Sequence, residues 1–354
     1  MRPLTARIRL DHLAFNYRLA RARHGGPVLA TLKANAYGHG AVQCALHLEP
    51  GADGFAVACL EEALALREAG IRKPILLLNG VFEASELAEV ERHDLWIVVS
   101  STLQVAMLLQ SQARQPFRVW LKMDTGMHRA GLAPNIYCQA WDQLVSSGKV
   151  GAIVLMSHFA SANKDDRQET RWQIERFQST IADLPGEVSL ANSAGLLAHP
   201  LSRRGWARAG IMLYGASPLD RPDGVADALK PVMALKSRVF SVRIVPAGDS
   251  IGYGSAWVVQ RPTRAGLVAC GYADGYPRAA SGAFVAVNGR LARVIGPVSM
   301  DTLTLDLTDL PDAGIGSEVE LWGDQIPVSR VATQAQTISY ELLCNVKRAR
   351  FEYV

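Results

Sequence analysis

The sequence predicts an α/β protein: an N-terminal (β/α)8 barrel of the TIM type over residues 1–225, then a mostly β domain over residues 226–354. Three observations lead there. Short apolar or β-branched runs alternate with stretches of helical periodicity eight times within the first 230 residues. Beyond Pro231 the pattern turns to alternating strands joined by turn dipeptides. The length, 354 residues, suits two domains at about 100–200 residues each.

Strands are expected over 28–33, 55–58, 75–79, 96–100, 117–124, 153–158, 188–192 and 206–208. Helical segments between them include 60–69, 83–92, 102–110 and 167–182. A doubly wound sheet is the alternative for such alternation. The join is expected in the Pro- and Asp-containing stretch 217–231. After it, 233–245 reads as a long strand and 265–270 as another. Strands 283–287 and 291–295 flank Asn288-Gly289, suited to the two positive-φ positions of a type I′ hairpin. In 301–308, Leu303, Leu305 and Leu307 alternate with polar residues, and 317–321 continues the series. Only 328–346 looks helical before a last strand over 350–354.

Composition narrows the class. Hydrophobic residues make up 49% and charged residues 20%, which excludes a disordered chain. Lys and Arg outnumber Asp and Glu by 25 to 22 up to residue 230 and by 12 to 11 beyond it. Neither part is a basic module, so nucleic acid and anionic membranes are poor partner expectations. Five scattered cysteines without a CxxC pair argue against a disulfide framework and a zinc site. The N-terminal stretch carries no signal-like apolar core and no run reaches the ~20 residues of a membrane span. A cytoplasmic protein is expected.

Barrel active sites sit at the carboxyl ends of the strands, and unusual polar residues gather there in this sequence. The first strand ends at Lys33; the fifth runs into Lys122, Asp124 and Arg129. The sixth ends at Ser157-His158, the seventh at Asn192-Ser193, and the eighth at Arg208 before Gly210 and Ile211. Two lysines, two arginines and a histidine would face one mouth with no acidic cluster for a metal, so the expected ligand is an anion and no metal is expected. Singly, each residue has a plainer reading: a solvated lysine, a core histidine, loop glycines, a helix-capping Asn-Ser. Their joint placement favours a site.

The strings that carry these residues resemble the alanine racemases. Ala30-Thr-Leu-Lys-Ala-Asn-Ala-Tyr-Gly-His-Gly40 is similar to that family's cofactor-lysine motif. Lys122-Met-Asp-Thr-Gly-Met-His-Arg129, Ser157-His-Phe-Ala160, Ala191-Asn-Ser-Ala194 and Arg208-Ala-Gly-Ile-Met-Leu-Tyr-Gly215 follow in the barrel. Ile251-Gly-Tyr-Gly254, Gly271-Tyr-Ala-Asp-Gly-Tyr-Pro-Arg278, Gly296-Pro-Val-Ser-Met-Asp-Thr302 and Ser339-Tyr-Glu-Leu-Leu-Cys344 follow in the second domain. Nine strings in the family's order exclude chance.

The resemblance implies an isomerase that interconverts L- and D-alanine with pyridoxal 5'-phosphate, working as a homodimer with shared active sites. It serves D-alanine supply for peptidoglycan or alanine catabolism. Lys33 would carry the cofactor, and Tyr37, Ser193, Gly210, Ile211 and Tyr340 would hold its phosphate. Arg208 would face the pyridine nitrogen, with His158 beside it. Arg129 would contact the ring hydroxyl and the substrate carboxylate. Lys122 resembles a lysine that is carbamylated in many members. Tyr253 would be the second base and, with Met300, would reach the partner's site; Tyr272 and Asp301 would shape the substrate pocket or its entrance. Racemisation needs a base on each face of the α-carbon, and Lys33 and Tyr253 fill those roles. A free tyrosine, with pKa near 10, is a poor base at neutral pH, and a line Tyr253–His158–Arg208 would stabilise its phenolate. The alternatives are a serine or broad-specificity racemase of the same fold and a pyridoxal-phosphate decarboxylase. More distant are a non-enzymatic cofactor carrier built on the barrel alone and a flavin or sugar-phosphate barrel.

Overall fold

The structure, a computed structural model, describes residues 2–164 and 168–354. The chain opens with a strand that the sequence reading did not anticipate, β1 (Thr5–Ile8), followed by a helix over Leu10–His24. Then come the barrel strands β2 (Val28–Thr31), β3 (Gly54–Val57), β4 (Ile75–Leu77), β5 (Trp96–Val99), β6 (Phe117–Lys122), β7 (Val150–Met156), β8 (Glu187–Ser189) and β9 (Ala207–Ala209). All eight pair in parallel, in the order β8–β7–β6–β5–β4–β3–β2–β9. The ends of that row meet: the Trp206 amide donates to the Val188 carbonyl at 2.8 Å and the Arg208 amide to Ala191 at 2.9 Å. The barrel is closed and the doubly wound alternative is excluded.

The expected strands overran the real ones at their carboxyl ends. The expected 28–33 stops at Thr31, 117–124 at Lys122, 153–158 at Met156 and 188–192 at Ser189. Each overrun reaches a polar residue of the barrel mouth, Lys33, Asp124, His158 or Asn192, and three of them cross a buried apolar residue first, Leu32, Met123 or Leu190. The helix expected over 167–182 spans Gln168–Thr180, its expected start at Arg167 lying outside the described residues.

Inside the barrel, Leu29, Ala56, Leu76, Trp96, Val98, Trp120, Val154 and Met156 form a separate buried cluster. Trp206 meets Trp96 edge-on at 5.4 Å, and Trp120 lies 6.2 Å from Trp96. These indoles plug the interior, because ring edges on ring faces fill space without voids.

The second domain is built on β10 (Met233–Val245), which is 13 residues long. A two-stranded hairpin, β11 (Ser250–Ile251) with β12 (Trp257–Val258), is followed by β13 (Thr263–Val268), β14 (Phe284–Val287), β15 (Arg290–Val294), β16 (Leu303–Asp306), β17 (Glu318–Trp322) and β18 (Arg350–Tyr353). The first part of β10 pairs with β17 and the second with β13, so six antiparallel strands close into a ring. Asn288 and Gly289 have φ of 46° and 83°, as the type I′ reading requires. The helical stretch expected over 328–346 is two short helices, Val328–Gln334 and Ser339–Cys344, interrupted near Gln336 at φ 56°.

The first strand changes the reading of how the domains are wired. β1 pairs antiparallel with β10 and parallel with β18, so residues 5–8 belong to the second sheet and not, as expected for 1–225, to the barrel. The chain begins in one unit, winds the other, and returns. Buried Asn16 fastens the return, donating to Leu213 and Lys230 carbonyls at 3.0 and 2.8 Å and accepting from the Lys230 amide. Among the described residues, no helix is long and apolar enough to cross a membrane, and the cysteines are free.

The backbones of the two units approach closely at Gly38. A Cβ there would lie 2.2 Å from the Leu343 carbonyl oxygen, and φ is +79°. Gly38→Ala is therefore expected to cost about 2–4 kcal/mol. A thermal melt should show Tm lowered by several degrees, whereas an unchanged Tm would mean that this approach is not needed for stability.

Candidate active site

The site begins where β2 ends. Ala34, Asn35, Ala36 and Tyr37 have φ of 52–54° and ψ of 40–51°, one full turn of left-handed helix. An L-residue loses about 1–2 kcal/mol in that conformation, so neighbours must hold it. Glu62 accepts from the Ala34 amide at 2.6 Å. Asn35 accepts from Ala41 at 2.8 Å. His39, fully buried, meets the Ala36 and Tyr37 carbonyls through Nδ1 at 3.0 and 2.9 Å. Because both partners are acceptors, Nδ1 carries the proton. The turn sends Lys33 into the barrel mouth and Tyr37 beneath it. Burial, and then the nearby Arg129, lower the Lys33 amine below its usual range.

The second component is an anion cradle after β8 and β9. The Gly210 and Met212 amides donate to Ser193 Oγ at 2.8 and 3.4 Å. A Cβ on Gly210 would lie 2.6 Å from Tyr37 Oη, so only glycine leaves room for that hydroxyl. Tyr37 stacks on Tyr214 at 4.7 Å and lies 5.8 Å from Tyr340. Ser193, Tyr37, Gly210, Ile211 and Tyr340 all line one cavity of about 970 Å³. Hydroxyls and backbone amides gathered around a glycine suit a phosphate.

The third component is cationic. Arg208, on β9, is buried; its guanidinium donates to the Ser157 carbonyl at 2.7 Å, to Ser189 O at 3.0 Å and to Ser189 Oγ. A longer contact, 3.5 Å, reaches His158 Nδ1. These partners are all neutral. Burial pulls the Arg208 pKa down to about 9, still charged at neutral pH. Burial and then the Arg208 charge hold the His158 imidazole neutral, its pKa well below the usual value. Lys122, at the end of β6, is buried, and desolvation followed by Arg208, Arg129 and Lys33 lowers its pKa to about 8. Lys33, Lys122, Arg129, His158 and Arg208 share the cavity. Among the described residues, no group of His, Cys, Asp and Glu could hold a metal ion.

Four expected site residues lie elsewhere. Tyr253, Tyr272 and Met300 are 72%, 40% and 54% exposed, and with Asp301 they are absent from the lining of this cavity. They sit on the second domain, where the Tyr272 and Ala273 amides donate to Ser299 and Met300 carbonyls at 3.0 Å. Asp301 pairs with Arg348 at 2.9 Å. The sequence reading missed Glu62, which looked like a solvated helix position, and Cys344, Asn163 and Asp220, which line the cavity. Asn163 and Asp220 follow β7 and β9 without a distinctive string. Cys344, by contrast, closes a string the reading had quoted.

A closed barrel with a cationic mouth, joined to a β domain, is the architecture of the barrel-type amino-acid racemases. The family models "Alanine racemase, N-terminal domain" and "Alanine racemase, C-terminal domain" match residues 8–218 and 232–353. An alanine racemase of Aromatoleum aromaticum is 58% identical over 100% of this chain and 99% of its own. The crystal structure of a biosynthetic alanine racemase from Pseudomonas aeruginosa superposes with TM-score 0.97 at 44% identity, covering both chains fully. One from Bartonella henselae, described with covalently bound pyridoxal phosphate, gives TM-score 0.91 at 29% identity over 99% of each chain. The chain belongs to the alanine racemase family, and its activity is that of an isomerase.

The buried imidazole of His39 has a consequence for stability. Desolvation lowers its pKa to about 4, below the roughly 6.5 of an unfolded histidine. The unfolded chain then binds the proton more readily, so stability is lost as pH falls below 6.5, by about 2 kcal/mol at pH 5. His39→Asn, which keeps a donor but cannot be protonated, should shrink the Tm difference between pH 7 and pH 5. An equal difference in both proteins would remove His39 as the source.

Proposed function

We propose that this chain interconverts L- and D-alanine with pyridoxal 5'-phosphate, as a cytoplasmic homodimer with shared active sites. The observation that carries the reading is the convergence of Lys33, the Ser193–Gly210 cradle and Arg208 on one barrel mouth. The residues fit the cofactor. The cradle's hydroxyls and amides suit a dianion, Lys33 is a half-buried amine with a lowered pKa, and Arg208 would supply a positive charge to a ring nitrogen. When bound, the cofactor withdraws electrons from the substrate's α-carbon, which makes its proton removable.

Lys33 would hold the cofactor and serve as the base on one face. Tyr37, Ser193, Gly210, Ile211 and Tyr340 would grip the phosphate. Arg208, always cationic, would keep the ring nitrogen unprotonated and so limit side reactions. Arg129 would orient the ring hydroxyl and pair with the substrate carboxylate. Lys122 has the lowered pKa that a carbamate needs: its free amine adds carbon dioxide and releases a proton, turning a cation into an anion that faces Arg129. His158 accepts from Arg208 at Nδ1, which leaves Nε2–H as a donor for the Tyr253 phenolate. Tyr253 would supply the second base. Its exposure, and its absence from the cavity of its own chain, support delivery to a second copy. Tyr272, Met300 and Asp301 would arrive with it, leaving room for a small side chain. Because the two enantiomers are equal in energy, one site serves D-alanine supply or alanine breakdown.

Two measurements test this. Purified protein should be yellow, borohydride should fix the chromophore to a peptide containing Lys33, and D-alanine should form from L-alanine. Absence of colour would end the cofactor assignment, and colour without D-alanine would leave the cofactor and discard the substrate. The second uses Lys33→Ala and Tyr253→Phe, each expected to lose activity. Mixed and reassociated, half the dimers are hybrids with one intact site each, so about a quarter of wild-type activity should return. No recovery would mean that Tyr253 acts within its own chain or not at all.

A further inference from the structure

Lys33 is presented by a turn that ordinary residues disfavour, and one side chain outside that turn holds its first amide. Glu62, on the helix Leu60–Glu68 after β3, accepts from the Ala34 amide through Oε1 at 2.6 Å. Its other oxygen, Oε2, accepts from the Ala58 amide at 2.7 Å. The carboxylate therefore staples the loop after β2 to the loop after β3. A carboxylate shared between two backbone amides is a strong acceptor with little freedom to swing away. Ala34 is the first residue of the left-handed turn and directly follows Lys33, so the staple fixes the backbone at the lysine itself.

Glu62 is also an anion in a cationic place. The groups whose charges reach Lys33 are Arg129, Lys122, Glu62 and Cys344, with His158 nearby as a neutral ring. After burial, Arg129 opposes a proton on Lys33, and Glu62 favours it. Cys344 is a half-buried thiol whose pKa is raised by burial, so it is neutral at working pH. Among the charges that reach Lys33, that of Glu62 is a negative one held in place by two backbone amides.

We propose that Glu62 is a positioning residue for Lys33: its carboxylate pins the left-handed turn that aims the lysine and balances the cations around it. The inference rests on the racemase reading above. In a two-base reaction, Glu62 then acts on the face served by Lys33 and leaves the other face alone. This asymmetry cannot appear in kcat/KM, because an equilibrium constant of one forces that ratio to be equal in both directions. It appears in isotope effects. Slowing the Lys33 step makes it more rate-limiting, so the effect of α-deuteration grows for the enantiomer that Lys33 deprotonates and shrinks for the other.

The test uses the holoenzyme and Glu62→Gln, which preserves volume but removes the charge and turns a donor toward one of the two amides. A second variant, Glu62→Asp, keeps the charge but shortens the reach to both amides. The absorbance and pH titration of the bound chromophore are recorded alongside primary deuterium isotope effects on kcat from α-deuterated L- and D-alanine. For Glu62→Gln, kcat should fall about tenfold, the two isotope effects should move in opposite directions, and the chromophore should titrate at a shifted pH. Glu62→Asp should restore the chromophore titration more fully than the rate. If Glu62→Gln binds cofactor, and both isotope effects and the titration match wild type, the proposal is overturned. If Glu62→Gln does not fold, Glu62→Asp carries the test alone. Its kcat should then fall with opposed isotope effects, and wild-type values for both would overturn the proposal. Failure of wild type itself to bind cofactor or racemise alanine would instead sink the underlying reading.

Discussion

Charge separation organises the rest of this molecule. A buried guanidinium, Arg208, is held by carbonyls, one hydroxyl and an imidazole, and so brings an uncompensated positive charge into a barrel mouth that already contains Lys33, Lys122 and Arg129. In a low-dielectric cavity, like charges so close push protons off whichever groups can release them. Lys122 and His158 respond, the lysine toward neutrality and the imidazole fully into it. The guanidinium stays charged and so sets the field. Carbonyl oxygens, unlike a carboxylate, hold Arg208 still without cancelling it, which leaves the charge available to an anionic ligand.

The barrel exists to hold that field in place. Its interior is plugged by Trp96, Trp120 and Trp206, so the cavity opens at the carboxyl ends of the strands. Many of the groups that make the site, Lys33, Lys122, His158 and Arg208 among them, sit within two residues of a strand's end. The same fact explains what could be read from sequence. Polar residues at strand ends looked like strand because they continue an apolar run. The ladders stop sooner, at Thr31, Lys122, Met156 and Ser189, because the side chains beyond turn to the ligand. The overrun marks the site.

Other parts were not legible for different reasons. Thr5–Ile8 alternates too briefly to stand out, and its partners Met233–Lys236 and Arg350–Tyr353 lie far along the chain; no local pattern encodes such a pairing. The break at Gln336 depends on a positive φ at a residue that seldom adopts one. Glu62 reads as one of many helix-surface carboxylates, and only the arrival of the Ala34 and Ala58 amides distinguishes it. Residues in recognisable strings, from Lys33 to Tyr340, were named in advance because each string is a loop with its own chemistry.

The exposed residues of the second domain follow from the same economy of space. The mouth is walled on several sides: by the left-handed turn, by the segment Ser217 to Asp220, and by the helix Ser339–Cys344. Gly38, pressed to within 2.2 Å (from its would-be Cβ) of Leu343 O, locks that helix onto the turn. This wall carries Tyr340 into the cradle, and Tyr253 of the same chain is not among the residues that line the cavity. On the proposed two-base reading, the second base comes from a second copy of the chain. The second domain exposes Tyr253 between the two strands of the β11–β12 hairpin, and Tyr272 and Met300 on connections beside its ring of strands, and an ion pair between Asp301 and Arg348 holds the segment beside them. A rigid carrier matters because proton transfer depends on sub-ångström distance. The domain that looks like an appendage in one chain is, on this reading, the half of the active site that a neighbour requires.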